Sequence, residues 1–288
     1  MKRQNLHCHT SFDDGCDAPE IMVIAAENAG LDSLGISLHS PIPGEDAWCC
    51  SDADELAFLA EMRRLREKYA GRFNVWCGLE YDLNSDRRSV PPYDYIIGSC
   101  HLLSGLPIDY DPETAAHLIA YHGGPERAAQ LYYERLCTMA DIPEISIVGH
   151  FDLLTKYNER VPLYDTAAPV YRDAAVAAME KLNAAGKIFE INTGAISRDW
   201  RTTPYPSEEL LRHLKSIGGR ICISSDAHSA ENIAFGFDQA EVLALRCGFM
   251  ELWPADSAVA VLKWMYGLKL IVEVNYIFKR DFFQVIVL

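Results

Sequence analysis

The chain carries little basic charge for its length. Its 288 residues include 26 Lys and Arg against 41 Asp and Glu, which gives a formal net charge of −15 at pH 7. A surface of that sign repels phosphate-rich polymers and anionic bilayers unless a local basic patch or bound cations offset it. The composition therefore argues against a protein that binds nucleic acid or a membrane surface.

Long apolar runs and a targeting stretch are also lacking. The most apolar late stretch, residues 258–274, is interrupted by Lys263 and Lys269 and falls short of a membrane span. The basic residues near Met1 lead straight into a strand-like segment, with no apolar stretch behind them. We expect no membrane span and a cytoplasmic location.

Two further patterns are missing. The nine cysteines are odd in number and lack the spacing of a disulfide-rich module, so we expect reduced thiols. Neither a Gly-x-Ser-x-Gly elbow nor a Cys-x5-Arg loop occurs. This argues against hydrolysis through a serine or cysteine nucleophile.

What is present is a repeated alternation of short β-rich apolar runs and longer segments of helical period. The predicted strands are residues 3–9, 33–38, 73–80, 93–100, 145–150, 187–192 and 220–225. The predicted helices are residues 19–29, 53–69, 112–121, 125–140, 168–185, 207–217 and 238–247. The alternation predicts an α/β fold of parallel strands joined by right-handed crossovers, either closed into a barrel or laid out as a doubly wound sheet.

The chain shows no linker-like composition shift, low-complexity tract or fixed-period repeat. We therefore predict a single domain over residues 1–288, in which 254–288 is apolar and irregular. At the start of the first predicted helix, Asp17 with Glu20 three residues on resembles a capping box.

Ionisable side chains gather at the ends of the predicted strands, where functional groups converge in α/β barrels. Six of the nine histidines lie at or just past such ends: His7, His9, His39, His101, His150 and His228. The carboxylates at the same places are Asp13, Asp14, Glu80, Asp152, Glu190 and Asp226.

The spacing of these groups favours a metal site. A His-x-His pair on a strand places both imidazoles on one face about 7 Å apart, which one cation can bridge. His7 and His9 have this spacing, and Asp226 and His228 repeat it. Each pair alone fits polar packing equally well, but burying so many ionisable groups together without cations would cost many kcal/mol.

Six ordered motifs, spread over residues 4 to 250, resemble those of the PHP (polymerase and histidinol phosphatase) family. They are Leu6-His7-Cys8-His9-Thr10 with Asp14-Gly15, Ile36-Ser37-Leu38-His39, Gly78-Leu79-Glu80, Gly98-Ser99-Cys100-His101, Gly149-His150-Phe151-Asp152 and Ser224-Ser225-Asp226-Ala227-His228. The segments 190–194 and 204–207, and the spacing from Asp226 to Gly236-Phe237, resemble the histidinol-phosphatase branch.

The resemblance implies a distorted seven-stranded (β/α)7 barrel of the PHP type, with three divalent metal ions (Zn, Mn or Fe) at the carboxyl ends of the strands. By motif position the first metal would be held by His7, His9, Glu80 and Asp226. The second would be held by His101 and His150, with Glu80 as a bridge. The third would be held by Asp14, His39 and His228, and Asp13 is the rival of Asp14.

The reaction implied is hydrolysis of a small phosphomonoester by a metal-activated water. Glu80 and Asp226 would be catalytic, and either Asp226 or a metal-bound water could protonate the leaving alkoxide. The cations expected to bind the phosphate are Lys156, Arg160, Arg198 and Arg201. The acidic group expected to face a cationic part of the substrate is Asp152, Glu159, Asp165 or Asp199.

The leading functional hypothesis is a histidinol-phosphate phosphatase of histidine biosynthesis. Three alternatives stay open. A PHP phosphoesterase could act on nucleotides or oligonucleotide ends, which Tyr157, Tyr164 and Trp200 could stack against. A dinuclear amidohydrolase would share most of the ligands without needing the third metal group. A non-catalytic module would bind metal for stability or to present a surface to a partner.

Overall fold

A computed structural model describes residues 2–45, 47–85 and 93–253. The predicted irregular segment 254–288 lies outside the described residues, so the prediction of one domain over 1–288 stays a prediction. All nine cysteines lie within the described parts and are free thiols.

Seven parallel strands of the described chain form one sheet that curves into a nearly closed barrel, and a short antiparallel hairpin follows the fourth strand. The strands are β1 (Gln4–Asn5), β2 (Ser33–His39), β3 (Asn74–Asp82), β4 (Tyr95–Ser99), β5 (Leu102–Leu103), β6 (Leu106–Pro107), β7 (Ile147–Val148), β8 (Ile188–Asn192) and β9 (Arg220–Ser224). The sheet order is β1-β2-β3-β4-β7-β8-β9, and β5 pairs with β6.

The two ends of the sheet meet, which decides between the two predicted architectures. The N–H of His9 donates to the carbonyl of Ala227 at 2.9 Å, beside a parallel bridge between Cys8 and Ala227. Each sheet strand also lies next to its predecessor in the chain, without the order reversal of a doubly wound sheet. The barrel alternative is confirmed.

The helices of the described residues lie near the predicted positions and follow the strands in turn. They are α1 (Pro19–Asn28), α2 (Asp52–Lys68), α3 (Pro112–Tyr121), α4 (Pro125–Leu136), α5 (Pro169–Ala184), α6 (Gly194–Ser197), α7 (Glu208–Ser216) and α8 (Phe237–Arg246). Neither α6 nor the β5–β6 hairpin was predicted, because neither is long enough to show a periodic pattern. In the part of the chain described, no helix has both the length and the apolar character needed to cross a membrane.

The capping box predicted at α1 is wrong. Ala18 occupies the N-cap position without a side-chain hydrogen bond. The Asp17 carboxylate instead accepts a 2.8 Å hydrogen bond from the N–H of Ala230, and Glu20 pairs with Arg64 on α2 at 2.7 Å. Both side chains thus bind groups that are distant in sequence instead of capping the N-terminus of α1.

A tyrosine fills the centre of the barrel. Tyr95 on β4 is fully buried, and its hydroxyl donates 2.6 Å across the barrel to the carbonyl of Leu6, just after β1. A Cβ atom at Gly35 on β2 or at Gly78 on β3 would clash with the Tyr95 ring. The two glycines therefore make the space that this side chain occupies.

Candidate metal centre

The structure brings all nine predicted metal-ligating side chains together at the carboxyl end of the barrel. They fall into groups whose ligand atoms lie within 4.8 Å of one another. The groups are His9 with Asp14, His39 and His228; His7 with Glu80 and His150; His7 with His9 and Asp226; and His39 with Glu80 and His101. The strand ends that were far apart in sequence thus converge as expected for an α/β barrel.

The Glu80 carboxylate lies in the middle of this cluster. It is almost fully buried near the end of β3, and one of its oxygens, Oε2, faces three imidazoles. This oxygen lies 3.2 Å from His7 Nε2, 3.3 Å from His9 Nε2 and 3.0 Å from His39 Nδ1. One carboxylate oxygen thus adjoins side chains from β2 and from the segment after β1.

The other oxygen of Glu80, Oε1, faces the opposite group. It lies 3.0 Å from His150 Nε2 and 3.5 Å from His101 Nε2, and it accepts a 2.6 Å hydrogen bond from the hydroxyl of Ser99. The ring centroids of His101 and His150 are 4.9 Å apart. Glu80 therefore has the position of a bridge between two sets of histidines.

Two aspartates complete the cluster. Asp14 Oδ1 lies 3.2 Å from His228 Nε2 and 3.6 Å from His39 Nε2, and Asp226 Oδ1 lies 3.6 Å from His9 Nε2. Asp226 has a positive φ of 49°, a conformation that costs a non-glycine residue energy and that is concentrated at functional sites. The turn after β9 thus holds Asp226 toward the histidines in a strained backbone conformation.

The structure separates the roles of the adjacent aspartates Asp13 and Asp14. Asp13 Oδ2 lies 2.8 Å from His9 Nδ1 and accepts from the N–H of His39 at 3.0 Å, while its Oδ1 accepts from the N–H of Thr10 at 2.9 Å. Asp13 therefore orients the back of the His9 ring, and Asp14 is the one whose carboxylate joins a ligand group.

Two more carboxylates, neither of which was predicted to have this role, orient histidines. Glu190 on β8 lies 2.8 Å from His7 Nδ1 and accepts from the N–H of His150 at 2.8 Å. Asp82 on β3 lies 3.0 Å from His101 Nδ1. Histidines that bind metals commonly hold their second ring nitrogen against such a carboxylate. The available signal for Asp82 was its place two residues after Glu80, on the same face of the strand.

The unpaired polar atoms of the cluster fit bound cations. His7 Nε2, His9 Nε2, His150 Nδ1 and Glu80 Oε2 are buried without a hydrogen bond. Buried polar atoms normally have a partner, so four such atoms in one cluster of ligating types point to metal ions as the partner.

The charges of these groups are strongly coupled. Burial opposes ionisation of Glu80, but the surrounding histidines, His7 foremost, hold the pKa of its carboxyl well below its usual range. Burial also opposes protonation of His9, but the carboxylates of Asp13 and Glu80 outweigh it and raise the pKa of His9 to about 10. The carboxylates therefore stay ionised and attract positive charge to this place.

A cavity of about 500 Å³ opens over the cluster. Seven of the nine clustered side chains line it, and so do two of the four predicted phosphate-binding cations, Lys156 and Arg198. Arg198 Nη2 lies 2.7 Å from His228 Nδ1 and donates to the carbonyl of Asp226 at 3.1 Å. It thus lies directly beside the cluster.

The other two predicted phosphate-binding residues do not line the cavity. Arg160 is exposed. Arg201 is nearly buried, and it donates to the carbonyls of Thr155 at 2.7 Å and of Thr203 at 3.0 Å. Arg201 therefore ties the loop after β7 to the loop after β8, and the expected set of four cations narrows to two.

The acidic groups of the cavity also differ from those expected. The Asp152 carboxylate accepts hydrogen bonds from the hydroxyls of Tyr133 and Tyr171, and Glu159 accepts from the N–H of Thr202 at 2.7 Å. Asp165 and Asp199 do not line the cavity either. Among the described residues, the carboxylates that line it outside the metal cluster are Glu45 and Asp109.

Comparison with known proteins agrees with this arrangement. The chain is 27% identical over 247 residues to a protein of Deinococcus radiodurans named probable histidinol-phosphatase, covering 81% of this chain and 89% of that one. It is 23% identical over 266 residues to a histidinol-phosphatase of Bacillus subtilis, covering 83% of this chain and 98% of that one.

The fold has a solved counterpart. The crystal structure of histidinol phosphate phosphatase from Lactococcus lactis, in complex with Zn, L-histidinol and phosphate, superposes with a TM-score of 0.71 at 22% identity, covering 87% of this chain and 95% of that one. The PHP domain family matches residues 5–194, which include seven of the nine clustered side chains. The chain therefore belongs to the PHP domain family.

Proposed function

We propose that this protein is a metal-dependent phosphomonoesterase that hydrolyses histidinol phosphate to histidinol and phosphate, a step of histidine biosynthesis. The observation that carries the proposal is the buried cluster in which Glu80 lies between two sets of histidines. The relatives named histidinol-phosphatase, which align over most of the chain, support the choice of substrate.

The cluster offers ligands for three divalent ions, which we propose to be Zn²⁺, Mn²⁺ or Fe²⁺. The first would be held by His7, His9, Glu80 and Asp226. The second would be held by Glu80, His101 and His150. The third would be held by Asp14, His39 and His228. When bound, such ions supply Lewis-acid activation of water and neutralise phosphate oxygens.

The residues of the chain then have separate tasks. Of the residues that the structure describes, Arg198 and Lys156 are the lysine and arginine side chains that line the cavity, and we assign them to the non-bridging phosphate oxygens. Lys156 is held in place by Asp109, whose carbonyl and carboxylate lie 2.7 and 2.8 Å from its Nζ. Glu80 fixes the relative positions of the two sets of histidines. The carboxylate of Asp226 lies beside Arg198, with 3.6 Å between Asp226 Oδ1 and Arg198 Nη2.

A specific observation weighs against the dinuclear amidohydrolase. Such an enzyme has no use for the group of Asp14, His39 and His228, yet these three side chains converge with His9. The cavity leaves the nucleotide phosphoesterase as the second candidate, because Trp48 and Tyr110 also line it and are able to stack against a base.

Phosphate release over a substrate panel tests the proposal. The panel contains histidinol phosphate, AMP and short 5′-phosphorylated oligonucleotides, each assayed with the metal-loaded protein. We expect the highest kcat/KM for histidinol phosphate. A preference for AMP or for oligonucleotides would move the assignment to the second candidate, and no hydrolysis of any phosphomonoester would favour a non-catalytic module.

Two further predictions accompany this function. We propose that residues 1–288 form one PHP domain, which is supported by the continuous barrel over most of the chain. We also propose a cytoplasmic location, which is supported by the nine free thiols.

A further inference from the structure

The loop after β2 brings an aromatic ring and a carboxylate to the wall of the cavity. Trp48 contacts His39 and His101 edge-on, with ring centroids 4.9 and 5.3 Å apart. The Glu45 carboxylate accepts a 2.7 Å hydrogen bond from Trp48 Nε1, and both side chains line the cavity. Glu45 is therefore held beside the indole, next to the metal centre.

Glu45 differs from the other carboxylates of the cavity in its partners. Those of the metal centre face histidines, and Asp109 pairs with Lys156 at 2.8 Å. Among the residues that the structure describes, Glu45 receives a side-chain hydrogen bond only from the neutral indole, and no cationic side chain lies within ion-pair distance of it. One carboxylate oxygen, Oε1, thus remains available to a ligand in the cavity.

This pair of side chains has the chemistry to bind an organic cation. An ionised carboxylate accepts strong charge-assisted hydrogen bonds from an ammonium or imidazolium group, and an indole is the side chain that attracts cations best through its π face. An uncharged alcohol part would leave the carboxylate with no new partner, and an anionic one would be repelled.

We infer that Glu45 and Trp48 form the subsite that selects phosphomonoesters whose alcohol part carries a cationic nitrogen. The inference rests on the proposed function, since it assigns the part of the site that recognises the substrate away from its phosphate. In histidinol phosphate the groups bound there are the amine and the imidazole. The phosphate stays with Arg198 and Lys156.

The test compares two substrates that share a phosphate dianion and differ in charge elsewhere. The ratio of kcat/KM for histidinol phosphate to that for phenyl phosphate is measured for the metal-loaded wild type and for Glu45→Gln. We expect the ratio to fall about ten- to hundredfold, the range for loss of a charge-assisted hydrogen bond. Trp48→Leu, which removes the ring and leaves the carboxylate, is expected to lower the ratio by a smaller factor.

Binding of the two products supplies a readout that does not depend on turnover. In calorimetry, Glu45→Gln is expected to weaken binding of histidinol about ten- to hundredfold and to leave the affinity for inorganic phosphate at its wild-type value. Glu126→Gln is the matched control, because Glu126 is an exposed residue in the first turn of α4 and does not line the cavity. Glu126→Gln removes the same charge and is expected to change neither the affinity for histidinol nor the affinity for inorganic phosphate.

Three outcomes overturn the inference or separate it from the proposed function. An equal loss on both substrates would show that Glu45 acts on the phosphate end or on the fold, and an unchanged ratio would show that it does not contact the substrate. If the wild type does not hydrolyse histidinol phosphate, the proposed function fails. The subsite is then decided by the same ratio, measured for phosphoethanolamine over phenyl phosphate.

Discussion

Among single residues, Arg198 is the proposed phosphate-binding cation that lies directly beside the clustered histidines. It lines the cavity and contacts both His228 and the carbonyl of Asp226, whereas Arg160 is exposed and lies away from the cavity. The two arginines follow neighbouring strands of the barrel. They form a matched pair in which the side chain is the same and the location differs.

We expect Arg198→Ala to raise KM for histidinol phosphate and to lower kcat/KM by roughly ten- to a thousandfold, the scale of losing one charge-assisted contact. Steady-state kinetics measure this, and elemental analysis is expected to show wild-type metal content because no ligand atom is removed. Arg160→Ala is the control and should behave as wild type. Equal effects of the two substitutions would contradict the placement of the phosphate beside Arg198.

Glu80 tests the metal centre itself. Glu80→Gln keeps the size of the side chain and removes the charge shared by the histidines on both sides, so we expect kcat/KM to fall by about a thousandfold or more and the metal content to drop. His117→Ala, on the exposed face of α3, is the comparison and should retain the wild-type kcat/KM and metal content. Equal losses in two folded variants would show that the centre lies elsewhere.

At the scale of elements, the interior of the barrel depends on one contact across three strands. The Tyr95 ring from β4 occupies the space that Gly35 and Gly78 leave on β2 and β3, and its hydroxyl reaches the carbonyl of Leu6. β2 ends at His39, β3 carries Glu80 two residues before its end, and β4 leads into the turn to His101. The packing of the interior therefore also sets the relative heights of three proposed ligands.

We expect Gly78→Ala to lower the free energy of unfolding by about 1–3 kcal/mol, because the added Cβ overlaps the ring of Tyr95. Tyr95→Leu removes that ring. In the Tyr95→Leu background, Gly78→Ala should therefore lower the free energy of unfolding by clearly less than it does in the wild type. Denaturant unfolding of the two single variants and the double variant measures the coupling. Additive effects would mean that Gly78 and Tyr95 do not contact each other.

For the whole molecule, the proposed ligands join the first and last parts of the barrel. His7 and His9 follow β1, whereas Asp226 and His228 follow β9. Hydrogen bonds link these two edges, among them the one from the N–H of His9 to the carbonyl of Ala227. Cations held by both edges would bind the folded chain and not the unfolded one. They would therefore stabilise the closed barrel by mass action.

Metal removal is accordingly expected to lower the Tm by about 5–10 °C, and adding back a single kind of divalent metal ion should restore the Tm. Thermal unfolding of the loaded and chelator-treated protein measures the shift. Glu80→Gln serves as the comparison, since a variant that holds less metal should lose less Tm on chelation. An identical Tm with and without metal would contradict a role of these ions in closing the barrel.

Much of this organisation follows from local properties of the sequence. Strand and helix periods lie within about ten residues of chain, so the seven strands and the main helices were predictable from the pattern of apolar side chains. The placement of histidines at strand ends was equally visible. In a parallel α/β fold the carboxyl ends of the strands all lie on one side of the molecule, so side chains at these ends were expected to share that side.

What the tertiary structure alone decided depends on contacts between distant segments. Closure of the barrel requires β1 to meet β9, and the choice of Asp14 over Asp13 follows from which carboxylate turns toward His228 and which toward the back of His9. Likewise, Arg201 is directed away from the cavity because it donates to the carbonyl of Thr155 on the loop after β7, as well as to the carbonyl of Thr203 on its own loop. Periodicity carries no information on such partners, because side-chain direction at a loop is set by whichever distant groups satisfy its hydrogen bonds.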